Sequence, residues 1–206
     1  MEILKKISIA VIIMLQTVLA SAQNEAAMQN AFSESYTMEY NQKYTEAIAV
    51  LNKLYREDSY ELNLRLGWLH FSNKNYTQSQ GYYQKAVALK PYSVEAKLGL
   101  VKPLSALESW DKVLQAYEDI LKIDDQNYTA TYWAGVIHYN RKKYEAAGKL
   151  FEKIVNLYPF DYDGNHMLAW TFLNTGRYND AKTLFNKALL IRPADASCQE
   201  GLKKIK

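Results

Sequence analysis

The sequence predicts an all-α fold, a solenoid of about five helix–turn–helix repeats closed by one further C-terminal helix. Residues 128–159 are followed by a second copy of themselves over residues 162–193, with Tyr144 and Tyr178, Ala147 and Ala181, Phe151 and Phe185, and Pro159 and Pro193 each 34 apart. A period of that length marks a repeat architecture. Ser59, Ser93, Asn127, Asp161 and Asp195 also stand 34 apart, and each is a residue type whose side-chain oxygen caps the first amides of a helix. Composition agrees: 49% hydrophobic and 23% charged residues describe a globular chain, and 8 Gly and 4 Pro in 206 residues favour helix.

Taken from the start, Lys5 and Lys6 precede an apolar run over residues 7–20, and Ala20-Ser21-Ala22 offers small residues to a signal peptidase. Residues 1–22 therefore read as a cleavable secretory signal, cut after Ala22. The run is shorter than the ~20 apolar residues a spanning helix requires, so no membrane span is expected after cleavage, and the mature chain is expected to be periplasmic or secreted. Cys198 is the single cysteine, which excludes an internal disulfide and a lipid-bearing cysteine after the signal. Without residues 1–22 the chain carries 23 basic and 21 acidic residues spread along its length. That balance argues against a nucleic acid or a charged membrane surface as partner, since both are held by clustered positive charge.

The repeats occupy residues 23–193. Five helices are expected to start just after the five capping residues. Inside them Leu66, Leu100, Ala134, Leu168 and Leu202 share one register, beside Gly67, Val101, Gly135 and Ala169; a large residue next to a small one lets a neighbouring helix approach closely. A second helix in each repeat is marked by Tyr44, Tyr76, Trp110, Tyr144 and Tyr178. Its buried face follows as Ala47, Ser79, Val113, Ala147 and Ala181, then Leu51, Tyr83, Tyr117, Phe151 and Phe185, then Leu54, Ala86, Ile120, Ile154 and Ala188, at steps of 4 and 3 that share one helical face. Pro91, Pro159 and Pro193 close three of these second helices, with Asp125 in the corresponding place of another.

Two places depart from the pattern. In the first repeat the second-helix ladder is spaced by 32 instead of 34, so the register of the first helix, around Ala27 to Tyr40, stays open, and with it whether Phe32 faces core or groove. Pro103 falls inside the first helix of the third repeat, removing a hydrogen bond to Gly99, and predicts a kink there. Residues 194–206 form the closing helix, with Cys198, Leu202 and Ile205 along one face to cover the end of the solenoid. Cys198 reads there as a packed small hydrophobe.

These ladders resemble the tetratricopeptide repeat. The family pattern is carried best by Gly135, Tyr144, Ala147, Phe151, Ile154 and Pro159, and again by Ala169, Tyr178, Ala181, Phe185, Ala188 and Pro193. The resemblance implies a right-handed superhelix whose concave side is lined by the first helix of each repeat, and a protein or peptide as partner. It also implies that His70 and His138, eleven residues after their caps, replace packed aromatics.

No catalytic constellation assembles from the sequence. His70, His138 and His166 show no metal-ligand spacing, and no HExxH, GxSxG or phosphate-binding glycine loop is present. Asp161-Tyr162-Asp163-Gly164 is explained by helix capping. Neither catalysis, a cofactor nor a metal is expected. The positive signal is the face formed by residues five, nine and twelve after each cap: Leu64, Trp68 and Phe71; Leu98, Lys102 and Ser105; Tyr132, Val136 and Tyr139; His166, Trp170 and Leu173. Of these, Leu64, Trp68, Phe71, Lys102, Tyr132, Tyr139, His166 and Trp170 are the candidate partner-binding residues, on a face that is aromatic and nearly free of charge. Tyr132 and Tyr139 are expected to pack between repeats, whereas Trp68 and Trp170 could either pack or open into the groove. Lys102 and Arg65 alone do not make the two-carboxylate clamp by which some tetratricopeptide domains hold acidic C-termini. The function expected is an exported, non-catalytic interaction scaffold; the alternative is an envelope carbohydrate-binding protein that stacks sugars on Trp and Tyr.

Overall fold

The computed structural model describes residues 23–205, so the signal segment expected over residues 1–22 lies outside the described residues. Among the described residues there are eleven helices and no strand. The first, α1, spans residues 23–40. It is followed by α2 (Tyr44–Asn52), α3 (Tyr60–Ser72), α4 (Tyr76–Leu89), α5 (Val94–Ala106), α6 (Trp110–Leu121), α7 (Tyr128–Asn140), α8 (Tyr144–Leu157), α9 (Tyr162–Asn174), α10 (Tyr178–Ile191) and α11 (Ala196–Lys204).

The start of each odd-numbered helix from α3 onward is fixed by the capping residue read from the sequence. Ser59, Ser93, Asn127, Asp161 and Asp195 each accept a hydrogen bond from the amide three residues on, those of Leu62, Ala96, Ala130, Gly164 and Cys198. The even-numbered helices have no such side-chain cap and are set by how the preceding helix ends. Gln42, Lys74, Glu108, Lys142 and Gly176 all take positive φ, between 54° and 78°. The residue after each donates its N–H back to the carbonyl of Met38, His70, Leu104, His138 and Phe172 respectively. This is the left-handed helix stop in which orphan carbonyls are taken up by the two following amides. Only one of the five left-handed positions is a glycine, although an L side chain is disfavoured there.

The chain divides after Pro91 into two compact units, where the sequence pattern reads as one uninterrupted array. In the first unit α3 packs on both α2 and α4, around Ala31, Ala47, Ile48, Leu51, Leu62, Leu66 and Leu69. In the second, consecutive helices from α5 to α11 pack in sequence and α9 also touches α7 and α11. One cluster there centres on Val113, Tyr117, Ile120 and Ala134, and another on Phe151, Ile154, Leu168, Phe185, Ala188 and Cys198. Every residue of the Ala47 and Leu51 ladders is buried in its own unit. The small residues are needed for this packing: a Cβ on Gly135 would stand 2.7 Å from Phe151 Cε1, and one on Gly201 only 2.2 Å from Phe185 Cζ.

Four details differ from or complete the sequence reading. Leu54 is not on the second-helix face, because α2 ends at Asn52; it lies in the following turn, half-buried against the core. The spacing of 32 is absorbed by that early stop, since the hairpin from α1 to α2 has the same left-handed turn as the others. Phe32, Tyr36 and Glu39 therefore correspond to Leu64, Trp68 and Phe71, 32 residues later, and Phe32 packs partly against the first unit's core. Around Pro103, α5 continues unbroken to Ala106, with the proline buried. At the end of the described chain, Ile205 follows α11 as its C-cap instead of belonging to it.

Candidate functional site

On every odd-numbered helix from α3 to α9, the residues at cap plus three are buried, whereas those at cap plus five, nine and twelve are half-buried, except Lys102, which is exposed. Steps of four and three put the latter on one stripe turned partly to solvent. Each unit presents its own part of that stripe.

In the first unit the stripe carries Leu64, Trp68 and Phe71 with Phe32, Tyr36 and Glu39 of α1. Trp68 is half-buried, and its indole N–H donates to the Glu39 carboxylate. Its ring lies 6.0 Å from that of Phe71. Glu39 also pairs with Arg65, whose Nε donates to Ser35 Oγ at 3.1 Å and whose guanidinium lies 3.8 Å from the centre of the exposed Tyr36 ring. Arg65 is only 7% exposed, so its charge serves the α1–α3 contact. The stripe is thus less free of charge here than its sequence suggests, with Glu39 in the middle of the aromatics.

In the second unit the stripe runs over α5, α7 and α9. Tyr139 Oη accepts a hydrogen bond from Asn174 Nδ2 at 2.9 Å, joining the ends of α7 and α9. Tyr132 stacks parallel to Tyr128 at 6.1 Å and meets Trp133 edge-on at 5.2 Å. Burial raises the pKa of Tyr132, and Asp163 and Asp161 nearby raise it further. Tyr139 thus packs between repeats as expected, whereas the ring contacts of Tyr132 lie within its own repeat, to Tyr128, Trp133 and Phe151. Trp170 is half-buried: its ring stands edge-on to Phe185 at 5.4 Å and its N–H lies 3.0 Å from Ser197 Oγ. His166 stacks on Tyr162 at 5.4 Å, and its Nε2 lies 2.8 Å from the same hydroxyl. Burial holds the His166 pKa below its ordinary value, against the pull of Asp195 and Asp163.

His166 and Trp170 are thus brought together, as are Trp68 and Phe71, and both indoles are anchored through their nitrogen with part of the ring open. Sequence reasoning missed the exposed aromatics Trp133 and Phe160, 47% and 62% exposed, which stand outside the register it followed. It also missed that His166, Asp195 and Cys198 bring their ligating atoms within 4.8 Å of one another, because 29 and 32 residues separate the histidine from the other two. His70, stacked on Tyr82 at 5.1 Å, and His138 are half-buried packing residues, and burial lowers the pKa of each.

The comparisons with known proteins agree with this geometry. A tetratricopeptide repeat family model matches residues 39–94 and 96–162, and another of the same description matches residues 138–205. The chain belongs to the tetratricopeptide repeat family. A repeat-containing protein of Methanocaldococcus jannaschii is 30% identical over 146 residues, covering 66% of this chain; the chain spans only 24% of that relative. Among solved structures, a tetratricopeptide repeat protein from Parabacteroides merdae superposes with a TM-score of 0.75 at 18% identity, covering 87% of this chain and 72% of that one. YrrB, described as having an unusual peptide-binding site, gives 0.72 at 15% identity over 90% of this chain and 97% of its own. MamA from Desulfovibrio magneticus gives 0.69 at 17% identity over 82% and 98%. These likenesses establish the fold.

Proposed function

We propose that the protein is an exported, non-catalytic scaffold that holds a peptide or partner helix against the aromatic stripes of its first-in-repeat helices. The observation that carries this reading is the anchoring of Trp68 and Trp170. Each indole is fixed through its N–H, to Glu39 and Ser197, while the ring stays half-open. A ring already held in place loses little freedom when a partner covers it, and tryptophans of this kind dominate binding energies. Leu64, Phe71, Tyr132 and Tyr139 extend the apolar surface around them, and Lys102 offers an exposed charge for orientation. Tetratricopeptide proteins bind other proteins, and the peptide-binding site of YrrB supports a peptide as the thing held. No helix among the described residues is long and apolar enough to cross a membrane. Export rests on residues 1–22, which lie outside the described residues.

The test is capture from an envelope fraction by residues 23–206, beside the Trp68→Ala/Trp170→Ala double variant, with helicity checked by circular dichroism. Loss of the two anchors should weaken capture by ~2 kcal/mol or more, about 30-fold in affinity. Equal capture by a folded double variant refutes the stripe as the binding surface. N-terminal sequencing of the protein from that fraction checks export: a mature chain starting at Gln23 is expected, and an intact Met1 contradicts it.

A further inference from the structure

We infer that His166, Asp195 and Cys198 form a site for one borderline-soft divalent metal ion of the Zn²⁺ class, which would tie α11 to α9. The three ligating atoms lie mutually within 4.8 Å. Imidazole, carboxylate and thiolate together are a ligand set suited to Zn²⁺, which binds nitrogen, sulfur and oxygen at about 2.0–2.3 Å in tetrahedral sites. The histidine comes from α9, and the other two from the start of α11.

The surroundings supply what such a site requires beyond its ligands. Metal-bound histidines use their second ring nitrogen to donate to a fixed acceptor, which sets tautomer and ring plane. Here Nε2 of His166 lies 2.8 Å from Ser197 Oγ and accepts from the Trp170 indole N–H at 3.2 Å; that N–H also reaches Ser197 Oγ at 3.0 Å, and in the metal-bound form it would turn wholly there, so that Nε2 donates to the same hydroxyl and Nδ1 offers its lone pair. Tyr162 stacks on the imidazole with ring centres 5.4 Å apart and fixes its plane. Cys198 is wholly buried while His166 and Asp195 are half-exposed, so the rim of the site opens through the harder ligands and the thiol is screened from oxidants. Capping accounts for Asp195 and packing for Cys198; neither accounts for an imidazole meeting them.

Binding replaces the Sγ–H bond by an Sγ–metal bond, and the proton leaves to the buffer. Because the ligands bind in their deprotonated forms, uptake should tighten as pH rises. The ion would close the last helix of the described array by coordination, at the end of the stripe to which His166 and Trp170 belong.

The test is titration of the untagged, EDTA-treated full chain with Co²⁺, followed by absorbance and by tryptophan fluorescence, since the Trp170 nitrogen lies 3.2 Å from His166 Nε2. One equivalent should bring a sulfur-to-cobalt charge-transfer band, visible bands of a tetrahedral ion and quenching, all reversed by Zn²⁺. Cys198→Ser should abolish the charge-transfer band. Asp195→Asn, which keeps a capping side chain, and His166→Gln should each weaken binding about 10-fold or more. No band from the full chain overturns the inference, and so does binding of unchanged affinity in folded His166→Gln and Asp195→Asn.

Discussion

Two glycines in one hairpin should respond to the same substitution with opposite sign. Gly135 of α7 lies against Phe151: a Cβ there would meet three ring atoms, at 2.7, 2.8 and 3.2 Å, and Phe151 is wholly buried. Gly148 of α8 offers an ordinary contact, with Thr171 Cγ2 at 3.5 Å. Alanine gains ~1 kcal/mol over glycine inside a helix, which is all that Gly148→Ala should show. At Gly135 the same gain is opposed by overpacking, at ~1–3 kcal/mol, and a ring enclosed on all sides puts the cost at the upper end. The net loss expected for Gly135→Ala is ~1–2 kcal/mol. Urea unfolding followed by helical circular dichroism should thus move the two midpoints in opposite directions, about 1 M apart for a slope of ~2–3 kcal/mol per molar. The comparison holds if the slopes agree. A Gly135→Ala variant as stable as the parent would refute the claim that α7 needs a bare backbone under Phe151.

Two further outcomes follow from the turns and the histidines. Lys74 and Lys142 hold φ of 62° and 58°, at a cost of ~1–2 kcal/mol each for an L residue, of which glycine's greater freedom in the unfolded chain takes back ~0.4–1. Lys74→Gly/Lys142→Gly should therefore gain roughly 1 kcal/mol in thermal unfolding, and a lower Tm would contradict the strain. Burial lowers the pKa of His70 below its ordinary 6.5, and its Nδ1 is buried without a hydrogen-bond partner. A depressed folded pKa means that this stability is complete above the unfolded value and is lost as pH falls below it. His70→Phe, which keeps the stack on Tyr82, should flatten the decline that sets in as pH falls below about 6.5; an unchanged slope would assign the decline elsewhere.

The parts of the fold legible in the sequence are those determined by local chemistry. A capping oxygen reaches an amide three residues away, so Ser59, Ser93, Asn127, Asp161 and Asp195 could be read directly, as could the apolar ladders, whose burial follows from helical period. The first repeat was harder, because its missing residues fall after the hairpin, and only the left-handed turn at Gln42 ties α1 to α2. The binding stripe was legible as a register but not as an environment. Whether Trp68 and Trp170 open to solvent depends on Glu39 and Ser197, 29 and 27 residues away along the chain, and no local pattern announces those bonds. The cluster of His166, Asp195 and Cys198 has the same character: each residue has a sufficient local explanation, and only the packing of α11 on α9 reveals the third dimension of the set.

The anchoring of Trp68 has a spectroscopic consequence. Of the chain's four tryptophans, it alone precedes Pro91, and its indole rests on a carboxylate. Replacing Trp110, Trp133 and Trp170 by phenylalanine would leave an emission signal that belongs to the N-terminal unit alone. A backbone signal from the whole chain, recorded in the same sample, would then show whether the two units melt as one cooperative array or one after the other.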